Sequence, residues 1–389
     1  MKIKENIHWV GALDPDTKQF DIIVKADNGT TYNSYLILDE KVVLIDTVKK
    51  RFTAEFIQKL KDILGDLKKI DYIILNHLEP DHSGALEELL PLTDAKVVVS
   101  ENARLILKGL LKKDIEPILA GDGDELDIGK GTLKFIKAPF LHWPDTMFTY
   151  YEQQNIIFTC DFLGAHFCDE RIVNSDTADY FHDFKYYFQA IMGPFKKYVL
   201  DALAKIRDLR FDTIATSHGP VIVKDAAKYI RAYKKWATLP TYDKPKIVIA
   251  YVSSYGNTAY IAQRLKDIFL DKKYIVDIFD LAATDIQIAI NEIETADVLA
   301  VGSPTINGDA VKPVWDLISA FPLISVRGKI AAAFGSYGWS GEAPKLILER
   351  LKGLRFKTID TPLRFQLIVD ERNDEEIKGF AKQIEEAVK

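Results

Sequence analysis

The chain has 389 residues, more than one ordinary hydrophobic core accommodates, so two domains are expected. Apolar residues make up 48% and charged residues 28%, the balance of a soluble globular protein. Lysine and arginine number 51 against 57 aspartates and glutamates, a net charge of -6 with no long basic run, which argues against a nucleic-acid partner.

The N-terminal stretch "MKIKENIHWVGALDPD" lacks the apolar segment of a secretory signal, and no run approaches the length needed to span a bilayer. A cytoplasmic protein without a membrane partner is expected. Next come "TTYNSYLILDEKVVLIDT", which reads as a hairpin, and the helical window "RFTAEFIQKLKDIL". The strand "DYIILN" runs into "HLEPDHSG", and the windows "SGALEELLPL" and "NARLILKGLL" read as helices. "TLKFIKAPFLHWPDTMFTYYEQQNIIFTCD" reads as an antiparallel meander. Its Cys160, together with Cys168, is too little for a disulfide framework and forms no C-x-x-C pair, so both are expected to be reduced thiols. The helical "AAKYIRAYKKWATL" stops before "PTYDKP", whose prolines mark a linker; the boundary is placed near residue 243.

From residue 246 the texture changes to five short β-branched runs, each followed by an amphipathic window: "KIVIAYVS", "YIVDIFDL", "DVLAVGSP", "KIAAAFGSY" and "RFQLIVD". That alternation predicts a doubly wound parallel sheet over residues 244–389. Residues 1–243 are expected to form a mixed α/β domain with much antiparallel pairing.

In the first domain, "HLEPDH" places His77, Glu79, Asp81 and His82 within six residues at the mouth of a strand. If the backbone stays extended, alternation puts His77, Glu79 and Asp81 on one side, and a following turn brings in His82. Taken alone, the stretch could also be a solvated loop in which Asp81 or Ser83 caps the next helix. His142, Asp161 and His218 also follow apolar strand-like runs, where an α/β scaffold projects functional groups. Imidazoles and carboxylates converging in this way are metal-ligand chemistry. His8 and His182 lack that placement, whereas His166, five residues after Asp161, could sit behind the same pocket.

In the second domain, "YVSSYGNTAYIA" leads from the first strand into its helix. Ser253, Ser254, Tyr255, Gly256, Asn257 and Thr258 combine hydroxyls, an amide and a permissive glycine at a helix N-terminus, a phosphate cradle. No lysine follows in P-loop spacing, so a nucleoside triphosphate is disfavoured. A merely capped helix would look similar, but "GSPTINGD" with Thr305, Ile306, Asn307 and Gly308, and "GSYGWSGE" with Tyr337, Gly338 and Trp339, fall at the same sheet edge. Tyr337 and Trp339 could face a flavin ring or simply pack.

"HLEPDH" resembles the H-x-H-x-D-H of the metallo-β-lactamase superfamily, with Glu79 in place of the second histidine. That change, and "LHWPDTMFTY", are similar to the flavodiiron proteins, or A-type flavoproteins, across nearly the whole chain. The resemblance implies a metallo-β-lactamase-like αββα sandwich followed by a flavodoxin-like doubly wound sheet. It implies one iron on His77, Glu79 and His142, a second on Asp81, His82 and His218, and Asp161 bridging them. It implies FMN in the second domain, with its phosphate among Ser253 to Thr258. The implied reactions reduce dioxygen to water and/or nitric oxide to nitrous oxide, with electrons from a separate donor, rubredoxin or reduced deazaflavin. The implied assembly is a head-to-tail homodimer or a dimer of dimers. His166, Tyr187 and Phe188 are candidates for the pocket that sets gas preference. Two rivals remain: a zinc-dependent hydrolase fused to a flavodoxin domain, and a non-catalytic FMN electron carrier.

Overall fold

The computed structural model describes residues 1–20, 22–112 and 115–388. The chain separates into two compact units, Met1–Thr238 and Leu239–Lys389, with the division a few residues upstream of the boundary expected near 243.

In the first unit a seven-stranded sheet runs, in spatial order, Lys2–Lys4, Ile7–Trp9, Tyr35–Leu38, Val42–Ile45, Ile70–Leu75, Lys96–Ser100 and Ile118–Ala120 among the described residues. Pairing is antiparallel up to Val42–Ile45 and parallel beyond it. A five-stranded sheet, Glu125–Asp127, Thr132–Lys137, Met147–Tyr151, Ile156–Cys160 and Thr213–Thr216, is the expected meander closed by one parallel strand.

Strand alternation builds the layers. Ile37, Val43, Ile45 and Ile74 of the first sheet share a buried core with Leu133, Phe135, Met147 and Phe158 of the second. Their neighbours Leu36, Leu44 and Ile73 turn the other way, into a core with Phe56 and Leu60 of the helix Thr53–Leu64. On the second sheet, Phe148, Ile157 and Ile214 join Val199, Leu203 and Tyr233 of the helices Lys196–Ile206 and Ala226–Ala237. Both faces of both sheets are therefore apolar, and the result is an αββα sandwich. Full burial of each large side chain contributes about 1.5–3 kcal/mol, and truncating Leu60 to Ala should cost roughly 2–5 kcal/mol.

In the second unit six strands are parallel among the described residues, in the spatial order Ile275–Asp280, Lys246–Tyr251, Val298–Gly302 and Ile330–Tyr337, the last of which pairs with both Lys357–Thr358 and Leu363–Gln366. One face packs Leu299 and Val301 against Val314 and Leu317; the other packs Ile247 and Ala300 against Ile261, Leu265 and Phe380. The strand order reverses between Lys246–Tyr251 and Val298–Gly302, so a crevice opens beyond the carboxyl ends of those strands. Among the described residues, no helix is long and apolar enough to cross a membrane.

Candidate functional site

The stretch after the strand Ile70–Leu75 is not extended as expected. Glu79 precedes a single helical turn, Pro80–Ser83, with Pro80 at the first position, where its missing N–H costs nothing. Ser83 Oγ, 2.9 Å from the carbonyls of both Leu78 and Glu79, fixes the turn. Asp81 and His82 thus diverge around a helix instead of alternating along a strand. The strand before His142 ends at Lys137, so His142 comes from a loop and not from a strand end. Asp161 directly follows the strand Ile156–Cys160, and His218 lies just beyond Thr213–Thr216.

All seven residues come together in two groups. Glu79 Oε2 lies 3.1 Å from His77 Nε2 and 3.0 Å from His142 Nε2. Asp81 lies 3.3 Å from His82 Nε2 through Oδ1 and 3.1 Å from His218 Nε2 through Oδ2. Asp161 stands between the groups with one oxygen toward each. Its Oδ2 is 3.6 Å from His77 Nε2 and 3.8 Å from His142 Nε2; its Oδ1 is 3.1 Å from His82 Nε2 and 3.5 Å from His218 Nε2. Both Asp81 oxygens and Asp161 Oδ2 are buried without a hydrogen-bond donor among the described residues. Buried carboxylate oxygens are costly unless something positive meets them, and cations enclosed by mixed nitrogen and oxygen donors fit the arrangement.

A further set of side chains holds these residues from behind. His77 Nδ1 faces both oxygens of buried Asp145 at 3.2 Å, and Asp145 also accepts from the Leu78 amide at 2.8 Å. His218 Nδ1 donates to the Thr31 carbonyl at 2.6 Å. Ser217 Oγ and the Tyr187 hydroxyl donate to Asp161 Oδ1 at 2.8 and 3.2 Å. His166 bonds Thr30 Oγ1 at 3.0 Å and packs edge-on against Tyr187 and His218. Phe188, by contrast, belongs to the aromatic core with Tyr233 and Trp236. Ser217 and Asp145 were not singled out as functional from the sequence; each adjoins or nearly adjoins a predicted ligand in "TSH" and "HWPD".

Without an ion the cluster must neutralise itself. Burial works against charge on His77, but hydrogen bonds to Asp145 and Glu79 outweigh it and hold that imidazole well above its ordinary range. Burial likewise opposes a charged His82, yet Asp81 and Asp161 push it up to about 9. Burial would raise Asp161, but the charges of His82, His77 and His218 hold it well below the usual carboxylate range. Glu79 is lowered by His142 and His77 against the same desolvation. Metal ions would take over that neutralising role and displace the imidazole protons.

In the second unit, Gly256, at φ 86°, precedes the helix Asn257–Asp271. The amides of Asn257 and Thr258 belong to its first turn, where no intrahelical acceptor exists. Ser254 and Tyr255 are exposed beside them, Tyr255 almost wholly at 93%. Several side chains expected to face a phosphate serve the scaffold instead. Thr258 Oγ1 is buried at 2.9 Å from Ser336 Oγ, Ser253 Oγ accepts from Ala259 N at 3.2 Å, and Asn257 Oδ1 accepts from Val369 N at 3.1 Å. Thr305 Oγ1 accepts from Ala343 N at 3.3 Å. Asn307 and Gly308, both at positive φ, turn the second loop so that Ile306 and Asp309 bridge. Trp339 is 85% exposed. A fourth loop missed in the sequence, Leu367 and Ile368, joins this edge through Leu367 N donating to the Tyr337 carbonyl at 2.8 Å. First-turn amides at a helix start and uncovered flat rings suit an anionic, aromatic cofactor.

Two family models divide the chain: ODP family beta lactamase over residues 30–219 and flavodoxin over residues 249–382. A flavo-diiron protein of Clostridium acetobutylicum is 42% identical over 369 residues, covering 92% of this chain and 92% of that protein. A nitric oxide reductase of Moorella thermoacetica is 37% identical over 371 residues, covering 92% and 91%. Among solved structures, the rubredoxin oxygen:oxidoreductase of Desulfovibrio gigas matches with a TM-score of 0.68 and 28% identity, over 100% of this chain and 98% of that one. The sandwich with its buried donor cluster and the parallel sheet with its open crevice define a β-lactamase-type domain joined to a flavodoxin-type domain. The chain belongs to the flavodiiron proteins.

Proposed function

We propose that the chain is an oxidoreductase that reduces dioxygen to water, nitric oxide to nitrous oxide, or both, at two irons supplied with electrons by FMN. The observation that carries this reading is the split carboxylate: Asp161 turns one oxygen to His77 and His142 and the other to His82 and His218. In the proposed assignment, residues 1–243 hold the irons, one by His77, Glu79 and His142 and the other by Asp81, His82 and His218. Residues 244–389 hold FMN between the loops that start at Ser253, Thr305 and Tyr337.

When bound, FMN and the iron pair supply two electrons each, together the four that convert dioxygen to two waters or twice the two that join nitric oxides as nitrous oxide and water. The chain's own residues manage access and protons. Glu79 and His142 are the most exposed of the seven, with side chains 12% and 18% accessible, so a small gas enters on their side. Trp143, edge-on to His77, and Phe195, near His142, line that side with apolar surface and limit water. Burial and the charge of Asp161 keep the Tyr187 phenol protonated, and it holds that proton beside Asp161 Oδ1.

Electrons are proposed to arrive from a separate carrier, rubredoxin or reduced deazaflavin. The chain is proposed to work in the cytoplasm as a head-to-tail homodimer or a dimer of dimers. The test is metal and flavin analysis, followed by anaerobic mixing of the reduced protein with dioxygen or nitric oxide. About two irons and one FMN per chain with rapid reoxidation is the expected outcome. Bound zinc and flavin-independent ester hydrolysis would instead favour a hydrolase, and reducible FMN without gas consumption an electron carrier. Glu79 speaks against the hydrolase, since a carboxylate in place of imidazole suits iron that passes through the ferric state.

A further inference from the structure

The two proposed metal positions are matched in what touches the ion. Each has one carboxylate and two imidazoles, and each takes one oxygen of Asp161. Any inequality between them must therefore come from what stands behind the imidazoles. Behind His77 stands a buried carboxylate, Asp145, with both oxygens 3.2 Å from Nδ1. Asp145 is itself clamped, since its carboxylate accepts from Leu78 N at 2.8 Å and its carbonyl from Ser100 Oγ at 2.6 Å. Behind His218 are only neutral groups, the Thr31 carbonyl at 2.6 Å and Thr30 Oγ1 at 3.3 Å from Nδ1. Behind His82, Nδ1 is buried without a hydrogen-bond partner among the described residues, and the buried carboxylate of Asp46 acts on that imidazole through its charge alone.

A histidine that donates its distal N–H to a carboxylate is a stronger base at its other nitrogen and is fixed in tautomer and orientation. We propose that Asp145 is a positioning residue that makes the two metal positions unequal. Acting through His77, it gives the His77/Glu79/His142 position the tighter grip and the lower reduction potential, and leaves the Asp81/His82/His218 position as the one that loses its ion first. This rests on the diiron reading, and the experiment separates the two.

The holoprotein is challenged with an iron chelator while iron release is followed, and the two iron potentials are measured by redox titration with spectroscopic detection. In the unaltered chain, release of two irons in two phases is expected; failure to bind two irons at all would overturn the diiron reading itself. Asp145→Asn keeps the size and a hydrogen-bonding group but removes the charge. It should speed the slow phase about tenfold, leave the fast phase nearly unchanged, and move only the lower potential upward. Ser100→Ala, which removes only the clamp on the Asp145 carbonyl, should move the same phase in the same direction by less, and it serves if the Asn variant does not fold. Unchanged phases and potentials in the folded variants, or equal acceleration of both phases, would overturn the role given to Asp145.

Discussion

Replacing Asp161 by Asn tests the site most directly, because one side chain is asked to serve two ions. Asn has nearly the same shape and retains an oxygen for the Ser217 and Tyr187 hydroxyls, which lie 2.8 and 3.2 Å from Oδ1. It cannot present an oxygen to both groups, since its amide nitrogen must face either His77 and His142 or His82 and His218. Structural metal sites of four ligands bind with about 10–16 kcal/mol, so one donor is worth roughly 3 kcal/mol, or about a hundredfold in affinity. The oxygen that Asn keeps still faces one of the two groups, so only one donor is lost and the pair should weaken by roughly a hundredfold in the product of the two constants. The assay is iron per chain after gel filtration with a mild chelator, with the FMN absorbance of the same sample as an internal control. The expected result is loss of iron with the flavin spectrum intact. Two retained irons at unaltered affinity would refute the bridging role.

Other perturbations read different links. Ser217→Ala removes a charge-assisted bond to Asp161 and should weaken iron binding by about 1.5–3 kcal/mol, measured by competition with a chelator of known affinity. In metal-free protein, the His82 pKa raised to about 9 gives a sign that can be checked. Its contribution, about 3 kcal/mol, is fully present below the unfolded imidazole value of about 6.5 and is lost as pH rises through about 9. Denaturant midpoints of the iron-free protein should therefore fall across that window, whereas iron affinity should rise over it as protons cease to compete. Gly256→Ala meets no neighbour within 4 Å but places a side chain at φ +86°, so it should cost about 1–2 kcal/mol through the backbone alone. Flavin fluorescence titration should then show weakened FMN binding with unchanged iron content.

The sequence revealed the layers better than the local path of the chain. Period-two runs such as 35–38 and 42–45 bury alternate residues in two different cores, and that alternation carries the sandwich. The doubly wound sheet was legible for the same reason, with each β-branched run followed by an amphipathic window. The turn Pro80–Ser83 was not. "HLEPDH" alternates on paper, but Pro80 starts a helix more readily than it continues a strand, and the Ser83 hydroxyl bonds secure the turn. The seven clustered side chains could be picked out in the sequence because imidazoles and carboxylates at such positions are chemically conspicuous. Their partners could not, because Thr31 acts through its backbone carbonyl and Ser217 and Asp145 are ordinary polar residues until the fold brings them to His218, Asp161 and His77. In the second domain Thr258, Ser253 and Asn257 spend their side chains on the scaffold, which the sequence did not reveal because those bonds reach Ser336, Ala259 and Val369 only through the fold.

The cluster's carboxylates are placed to meet positive charge. Glu79, Asp81, Asp145 and Asp161 lie within a few ångströms of four imidazoles, and nearly all of these groups are buried. Protons alone can balance the charge, as the raised His77 and His82 and the depressed Asp161 indicate. Protonation, however, ties each Nε2 to one neighbour and leaves both Asp81 oxygens and Asp161 Oδ2 without a hydrogen-bond donor. An ion in each group meets those oxygens and the freed imidazole nitrogens together, so metal binding and proton release become one event. Under the proposed assignment, the stability of the first domain and its redox function draw on the same seven side chains, and iron content should set its melting temperature as well as its activity.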